Sequence, residues 1–258
     1  MADYILTRSG DERTERERLG AIQAYQDPPT IKHLTAAGVS AGWRCLDVGA
    51  GGGSITRWLA DRVGPTGNVL ATDIEMDLLS ALTVPNVTAR RHDVRTDPLP
   101  DNEFDLVHTR FVLIHLPERD DVLRRMVAAL KPGGRIVLGD VDFSTMRLSV
   151  ADARYEKVGQ AFDAAVRLAG WDPEFGSKLP AMLERHGVAD VTGSGVCDYQ
   201  RGDSVLTTIL SLTLRRVQPL LLAQGVTEQE LDYVHELLLD PAIALQGPTM
   251  WSAWGVKR

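Results

Sequence analysis

Apolar stretches of strand length alternate with amphipathic helical patterns between residues 43 and 143. The stretches that predict strands are residues 44–48, 68–73, 87–92, 104–108 and 135–141. After the first stretch, apolar residues recur every three or four positions, at Ile55, Trp58, Leu59 and Val63. This spacing is typical of a helix with one buried face. Strands that alternate with helices indicate βαβ crossovers, and therefore a parallel sheet covered on both faces.

A second amphipathic helix precedes the last of these strands. Its apolar positions are Val122, Leu123, Met126, Val127 and Leu130. The residues that follow, Lys131-Pro132-Gly133-Gly134, predict the end of that helix and a turn of the chain, because proline and glycine interrupt helices.

The pattern changes after residue 143. Helical spacing covers residues 158–169, 175–183, 204–222 and 227–239, and residues 188–199 and 250–256 predict strands. Thr227 and Glu230 have the spacing of a capping box, which predicts where the last helix begins. The chain is therefore expected to form a doubly wound α/β sheet with helices inserted late in the sequence.

The first predicted strand runs into a glycine-rich loop, Asp47-Val48-Gly49-Ala50-Gly51-Gly52-Gly53. Ser54 stands where the dinucleotide-binding fingerprint has glycine or alanine, so the loop matches D-x-G-x-G-x-G instead. Glycines lack a Cβ and let a ligand approach the backbone closely. Tight turns from strand to helix also need glycine, so a glycine-rich loop alone does not indicate a ligand site. The strand before this loop and the helix after it strengthen the interpretation as a ligand site.

Two acids follow at the ends of the next two strands. Asp73 lies twenty residues beyond Gly53, where a carboxylate can accept hydrogen bonds from both hydroxyls of a ribose. Asp93 can accept from the exocyclic amine of adenine, and the next backbone N–H can donate to the ring. Basic residues suited to a pyrophosphate are not concentrated at the loop, and the ligand implied is an adenosine without a phosphate chain.

Composition removes several classes of protein. The chain has 258 residues, of which 44% are hydrophobic and 24% charged, so a disordered chain is excluded. Its net charge of −7 disfavours a general nucleic-acid binder.

Its two cysteines, Cys45 and Cys197, predict neither a disulfide framework nor a zinc site. The N-terminal residues lack an apolar signal core, and the apolar stretch 205–222 is too short and charged to span a bilayer, so we expect a cytoplasmic protein.

Taken together, these motifs resemble the class I S-adenosylmethionine-dependent methyltransferases, and in particular the small-molecule methyltransferases of that family. The resemblance is tight over residues 30–143 and loose elsewhere. It rests on LDVGAGGG at 46–53, TDI at 72–74, HDV at 92–94, FDLVHTRFVLIHL at 104–116 and LKPGGRIVLGDVD at 130–142. It implies a Rossmann-like sheet of seven strands, mostly parallel, whose last strand is antiparallel, with inserted lid helices.

The resemblance also implies which residues contact the cofactor, S-adenosylmethionine. Asp47, Gly49, Gly51 and Gly53 would hold the methionine end, and His108, Thr109 and Arg110 would face the methionine moiety and the acceptor. Asp73 and Ile74 would hold the ribose, and Asp93 and Val94 the adenine.

The acceptor side offers candidate catalytic residues. His115 and Arg110 are the ones we select, with His108 and the more remote His33 as further candidate bases. A base is needed only if the acceptor carries a proton at its nucleophilic atom. His115 acts as that base or packs as a structural histidine, and Arg110 binds an acceptor carboxylate or pairs with an acid of its own chain.

Asp140 and Asp142 alternate on the last parallel strand, so their side chains leave it on the same face. Two carboxylates in this position hold Mg²⁺ in one interpretation and line the cleft without metal in the other. We expect no metal site.

The domain organisation follows from the same pattern. Residues 1–28 are expected to form an N-terminal helical lid, with Leu19, Ile22 and Tyr25 at near-helical spacing after the mixed-charge run 11–18. Residues 29–258 would form the methyltransferase domain, with helical insertions at about 144–172 and 203–240. The alternatives are that the charged run is a solvated helix face and that the inserted helices only complete the core.

The sequence therefore predicts an enzyme that transfers a methyl group from S-adenosylmethionine to O, N or C of a small organic acceptor. One alternative binds the cofactor but catalyses a cyclisation or decarboxylation, and another methylates a macromolecule. The expected partner is the small acceptor, without nucleic acid or membrane, and a homodimer is an open alternative for the assembly. A non-catalytic binding protein is disfavoured by the intact loop and acids.

Overall fold

The computed structural model describes residues 12–258 and contains two compact units. The larger unit comprises residues 26–141, 175–195 and 250–258, and the smaller one comprises residues 12–25, 142–174 and 196–249. Helix α1 (Glu12–Ala36) contributes to both units and runs through Pro28 and Pro29. The boundary expected at residue 28 therefore falls inside a continuous helix.

A seven-stranded sheet forms the larger unit, in the order β3-β2-β1-β4-β5-β10-β7. The strands are β1 (Arg44–Val48), β2 (Asn68–Asp73), β3 (Val87–Arg91), β4 (Phe104–Arg110), β5 (Leu130–Asp142), β7 (Val188–Val196) and β10 (Thr249–Lys257). β1 pairs in parallel with β2 and β4, and the pairs β2–β3 and β4–β5 are also parallel. The predicted fold class, a mostly parallel Rossmann-like sheet with one antiparallel strand, is confirmed.

Helices cover this sheet because their apolar faces match it. The helices of the larger unit after α1 are α2 (Ser54–Val63), α3 (Arg119–Ala129) and α5 (Leu179–Arg185). α2 buries Ile55, Leu59 and Val63, one position per helical turn, and these side chains pack with Cys45 and Leu106 of the sheet in one hydrophobic cluster. This packing fixes the start of α2, and with it the glycine loop, against the end of β1.

The smaller unit is mainly helical. It contains α4 (Ala153–Leu168), α6 (Val205–Arg216), α7 (Gln218–Ala223) and α8 (Glu228–Leu239), together with an antiparallel sheet of β6 (Arg147–Leu148), β9 (Ala244–Gln246) and β8 (Tyr199–Arg201). The predicted capping box of α8 is present, since Thr227 and Glu230 bond each other's backbone and side chain. The unit has its own core, which includes Val158, Leu206, Leu221 and Val234.

Two of the predicted elements are interrupted in the structure, and one small sheet was not predicted. The single helix expected over 204–222 ends at Arg216, and a new helix begins at Gln218, because Pro219 cannot donate to the preceding turn. The strand expected over 188–199 is interrupted between Val196 and Tyr199. The small sheet of β6, β9 and β8 was not expected. No described helix is long and apolar enough to cross a membrane.

Candidate functional site

The glycine loop adopts a conformation that L-amino acids rarely take. Gly49, Gly51 and Gly53 have φ of 68°, 54° and 74°, in the left-handed region. The loop stays next to β2 because the N–H groups of Gly49 and Ala50 both donate to the Thr72 carbonyl, at 2.8 and 3.0 Å. A Cβ placed on Gly51 would have no heavy atom within 4 Å among the described residues. The loop therefore has an open side at Gly51, where a ligand can approach the backbone.

Asp73, at the end of β2, faces this loop. Its Oδ2 accepts the N–H of Gly51 at 2.8 Å, and its Oδ1 accepts the N–H of Glu75 at 3.0 Å. Burial raises the pKa of the Asp73 carboxyl above its ordinary value, although the backbone N–H bonds oppose this effect. An ionised carboxylate has about four acceptor positions, so Asp73 retains the capacity to bind hydroxyl groups of a ligand.

Asp47 lies below the loop as part of a buried polar group. Its Oδ1 is 2.8 Å from Nδ1 of His108, which is its register partner on β4, and its Oδ2 accepts the Thr56 hydroxyl of α2 at 2.5 Å. Asp47 and His108 are 2% and 3% exposed. The carboxylate thus connects β1, β4 and the first turn of α2, which are the elements around the glycine loop.

At the end of β3, Asp93 is engaged by Arg95. The Arg95 guanidinium donates to both carboxylate oxygens, at 2.7 Å from its Nη2 to Oδ2. This hydrogen bonding lowers the pKa of the Asp93 carboxyl. The neighbouring Val94 is buried, and its carbonyl accepts from Arg125. Ile74, after β2, is half-buried. The Asp93 carboxylate therefore has fewer acceptor positions left for a ligand than that of Asp73.

Arg110, the last residue of β4, pairs with an acid of its own chain. Its Nη2 donates to Oδ1 of Asp27 at 2.9 Å, and its Nη1 donates to the Thr30 hydroxyl at 2.8 Å. The stem of Arg110 passes over Gly139, where a Cβ would lie 3.2 Å from Cγ. The preceding Thr109 is buried and donates to the Val48 carbonyl at 2.8 Å. Of the two alternatives for Arg110, intramolecular pairing is the one present.

The remaining candidates follow β4 and lie on β5. His115 ends a short 3-10 turn, Leu113–His115, and is half-buried. Oδ2 of Asp140 accepts the N–H of Ile114 at 3.0 Å, while Oδ1 of Asp142 accepts the N–H of Ser144 at 2.9 Å. No group of three potential metal ligands occurs among residues 12–258. Both aspartates therefore stabilise local turns.

The structure thus brings together Gly49, Gly51 and Asp73, and beside them Asp47 with His108. Sequence reasoning missed three side chains that shape this region: Thr56, Asp27 and Val112. Val112 packs on the loop, since a Cβ on Gly49 would clash with its Cγ2. A hydroxyl residue in the first turn of a helix was a weak signal for Thr56, but the contacts of Asp27 and Val112 are long-range and leave no local pattern.

Fold and site together define a Rossmann-like domain with an open glycine loop after the first strand and the Asp73 carboxylate facing that loop. Residues 46–138 match the family described as "Methyltransferase domain". Over this segment the chain is therefore similar to class I S-adenosylmethionine-dependent methyltransferases. The matched segment includes the glycine loop, Asp73, Asp93 and β4.

Among curated proteins, the chain is similar to the ubiquinone/menaquinone biosynthesis C-methyltransferase UbiE of Pseudomonas savastanoi pv. phaseolicola, with 36% identity over 137 residues. The match covers 50% of this chain and 53% of that relative. The chain thus spans about half the length of the curated relatives it matches.

Two solved structures share the fold. The YcgJ protein from Bacillus subtilis has a TM-score of 0.59 and 18% identity, with 89% of this chain and 97% of that chain covered. The phosphoethanolamine N-methyltransferase 2 of Haemonchus contortus, in complex with phosphomonomethylethanolamine and S-adenosylhomocysteine, has a TM-score of 0.58 and 18% identity. There the match covers 89% of this chain and 52% of that chain.

Proposed function

We propose that this chain transfers a methyl group from S-adenosylmethionine to O, N or C of a small organic acceptor. The observation that carries the proposal is the open side of the glycine loop at Gly51, with the Asp73 carboxylate bonded to the Gly51 N–H. A nucleoside with free ribose hydroxyls suits this arrangement, because it brings donors to a carboxylate and needs a backbone without side chains beside it.

The residues of this chain would hold the donor in the following way. Gly49, Gly51 and Gly53 form the cradle of the methionine end, and Asp73 with Ile74 binds the ribose. Asp93 and Val94 contribute to the adenine pocket, with a smaller share from the Asp93 carboxylate because Arg95 occupies both its oxygens.

The other residues expected to contact the methyl donor, Asp47, His108 and Thr109, have an indirect role. Asp47 and His108 hold each other below the loop, and Thr109 is bonded to β1. We propose that these three residues fix the shape of the cradle. When bound, S-adenosylmethionine supplies an electrophilic methyl group on a sulfonium whose charge is lost on transfer. Little new charge therefore has to be stabilised, and positioning and exclusion of water can supply much of the rate.

We propose that Arg110 and His115 interact with the methyl acceptor. Arg110 is held by Asp27 and Thr30, so an anionic acceptor would have to compete with Asp27 for its guanidinium. His115 would accept a proton from an acceptor that is protonated at its nucleophilic atom.

The names of similar proteins support a small organic acceptor. UbiE is a C-methyltransferase of quinone biosynthesis, and the Haemonchus enzyme was solved with phosphomonomethylethanolamine. The net charge of −7 points in the same direction, because a nucleic-acid substrate favours a basic surface.

The proposal is tested by incubating the purified chain with S-adenosylmethionine labelled on its methyl group and a small-molecule extract of cells. We expect mass spectrometry to find a labelled metabolite together with S-adenosylhomocysteine. Cofactor binding without any labelled product, but with conversion of a metabolite, would instead support the cyclisation or decarboxylation alternative. Label in protein or nucleic acid would support a macromolecular substrate.

The N-terminal segment up to residue 28 is proposed to act as a lid, of which residues 1–11 lie outside the described residues. Within the smaller unit, the Tyr25 hydroxyl donates to Asp198 at 2.5 Å and Tyr25 packs against the helical core. Helix α1 contains Pro28 and Pro29, which remove two backbone donors and give the helix a place to bend. A segment anchored before these prolines can open by bending there.

Deletion of residues 1–26 tests the lid. We expect the truncated chain to stay folded and to keep most of its affinity for S-adenosylmethionine while losing turnover of the acceptor found above. Tyr25→Phe is the milder variant, because it removes one hydrogen bond and keeps the ring. Unchanged turnover in the truncated chain would contradict a lid, and an unfolded chain would mean that the segment is part of the core.

A further inference from the structure

Phe111, the residue that follows β4, has an unusual backbone. Its φ is 57°, in the left-handed region. The other non-glycine residues with positive φ in the described chain are Asn102, Asp190 and Asp203, whose short polar side chains tolerate this conformation. A phenylalanine there is strained, and such strain persists only where the surrounding contacts impose it, which is common at functional sites.

The contacts around Phe111 explain how this conformation is held. Its N–H donates to the Gly139 carbonyl of β5 at 2.9 Å. The next residue, Val112, packs on Gly49. The left-handed turn thus ends the β4 strand and brings the chain back onto the first glycine of the loop. Phe111 therefore lies at the junction between the carboxyl end of β4 and the loop that we propose to cradle the methyl donor.

The ring of Phe111 is half-buried and already lies near a cation. The guanidinium carbon of Arg110 is 5.7 Å from the ring centroid, while Asp27 and Thr30 hold the guanidinium nitrogens. The face of an aromatic ring is electron-rich and attracts cations at this distance. Of the carboxylates nearest the loop, Asp47 is engaged by His108 and Thr56, and we assign the remaining acceptor positions of Asp73 to the ribose.

We propose that Phe111 contacts the methyl donor, and that its ring stabilises the positively charged sulfonium. This inference rests on the proposed function. A sulfonium cannot donate a conventional hydrogen bond, but an aromatic face attracts its positive charge. The product, S-adenosylhomocysteine, has nearly the same shape but a neutral thioether. Phe111 would therefore favour the donor over the spent product, at the expense of backbone strain.

The test compares the affinities of S-adenosylmethionine and S-adenosylhomocysteine by calorimetry, so it does not require the acceptor. The wild-type chain is measured beside Phe111→Leu, which removes the ring, Phe111→Tyr, which keeps it, and Phe111→Gly, which removes both ring and strain. We expect the leucine and glycine variants to bind S-adenosylmethionine about three- to five-fold more weakly, with S-adenosylhomocysteine affected less than about twofold. The tyrosine variant should behave as wild type.

Equal weakening of both ligands in Phe111→Leu, or no change in either, would overturn the inference while the proposed function stands. If the wild-type chain bound neither ligand, the proposed function and this inference would both fail. Thermal unfolding of each variant serves as the folding control. If Phe111→Leu does not fold, the affinities of Phe111→Gly for the two ligands test the inference instead, because glycine accepts the left-handed backbone without strain.

Discussion

Asp73 combines burial with two backbone hydrogen bonds, and it faces the open side of the glycine loop. Its remaining lone pairs are the positions from which ribose hydroxyls can be recognised. Asp93, by contrast, has both oxygens engaged by Arg95. At the scale of single residues, the two acids that look equivalent in sequence therefore differ in what they can offer to a ligand.

Replacement of Asp73 by alanine tests this difference. We expect Asp73→Ala to weaken S-adenosylmethionine binding by about 1.5–3 kcal/mol, because hydrogen bonds to a charged acceptor are lost. Asp93→Ala should have a smaller effect. Asp77→Ala is the matched control, since Asp77 follows β2 in the same loop and is exposed. Calorimetric titration measures all three, and an affinity of Asp73→Ala equal to that of Asp77→Ala would remove Asp73 from the site.

At the scale of elements, the strands and helices with strong periodicity were predictable, whereas their interruptions were not. β1 and β2 have the predicted bounds. β5 begins earlier than predicted, at Leu130, and its register with β4 shifts between Phe104 and Leu106. The turn predicted at Lys131–Gly134 is therefore an irregularity within a paired strand. Whether such a segment turns or bulges depends on the neighbouring strand, which local sequence does not specify.

The site follows the same rule. The tight turn at Gly51 and the position of Asp73 at the end of β2 were predictable because both are local features. The engagement of Arg110 by Asp27 was left open, since it joins residues 83 positions apart. The strands β6, β8 and β9 have two or three residues each and pair over long sequence distances, so they carry no periodicity to detect.

The burial of the central strand β1 leads to a prediction about the reactivity of the two cysteine thiols. Cys45 lies in β1 and is 0% exposed, and burial raises the pKa of its thiol to about 12, whereas Cys197 is exposed. Only a thiolate reacts readily with an alkylating reagent. At mildly alkaline pH, iodoacetamide should add one group to the native chain and two to the unfolded chain, as read by intact mass. Cys197→Ser should give no native adduct, and labelling of Cys45 in the folded protein would contradict the packing of β1.

At the scale of the whole molecule, each compact unit contains at least one histidine whose pKa is lowered by burial. His33 and His92 lie in the larger unit and His235 lies in the smaller one. Burial is the largest cause that lowers the pKa of each below its ordinary 6.5. Below that pH the unfolded chain binds more protons than the folded chain, so acid favours unfolding.

We therefore expect the stability that these histidines confer to be complete above about pH 6.5 and to be lost as the pH falls through their folded-state pKa values. Denaturant unfolding at a series of pH values measures this loss. His33→Gln should reduce the pH dependence, because His33 then no longer titrates; His186→Gln is the control at a histidine that pairs with Asp120. A free energy of unfolding that stays constant or increases on acidification through this range would contradict the burial of these groups.

The most direct test of the account is a calorimetric titration of S-adenosylmethionine into the wild-type chain and two alanine variants. Gly51 and Gly187 both have positive φ, and a Cβ on either would meet no heavy atom within 4 Å among the described residues. Gly51→Ala and Gly187→Ala should therefore lose similar stability, about 1–2 kcal/mol, from the left-handed backbone. We predict one binding site per chain in the wild type and in Gly187→Ala, and strongly reduced binding in Gly51→Ala. Absence of binding to the wild type, or equal binding to both variants, would contradict the assignment of the glycine loop as the methyl-donor site.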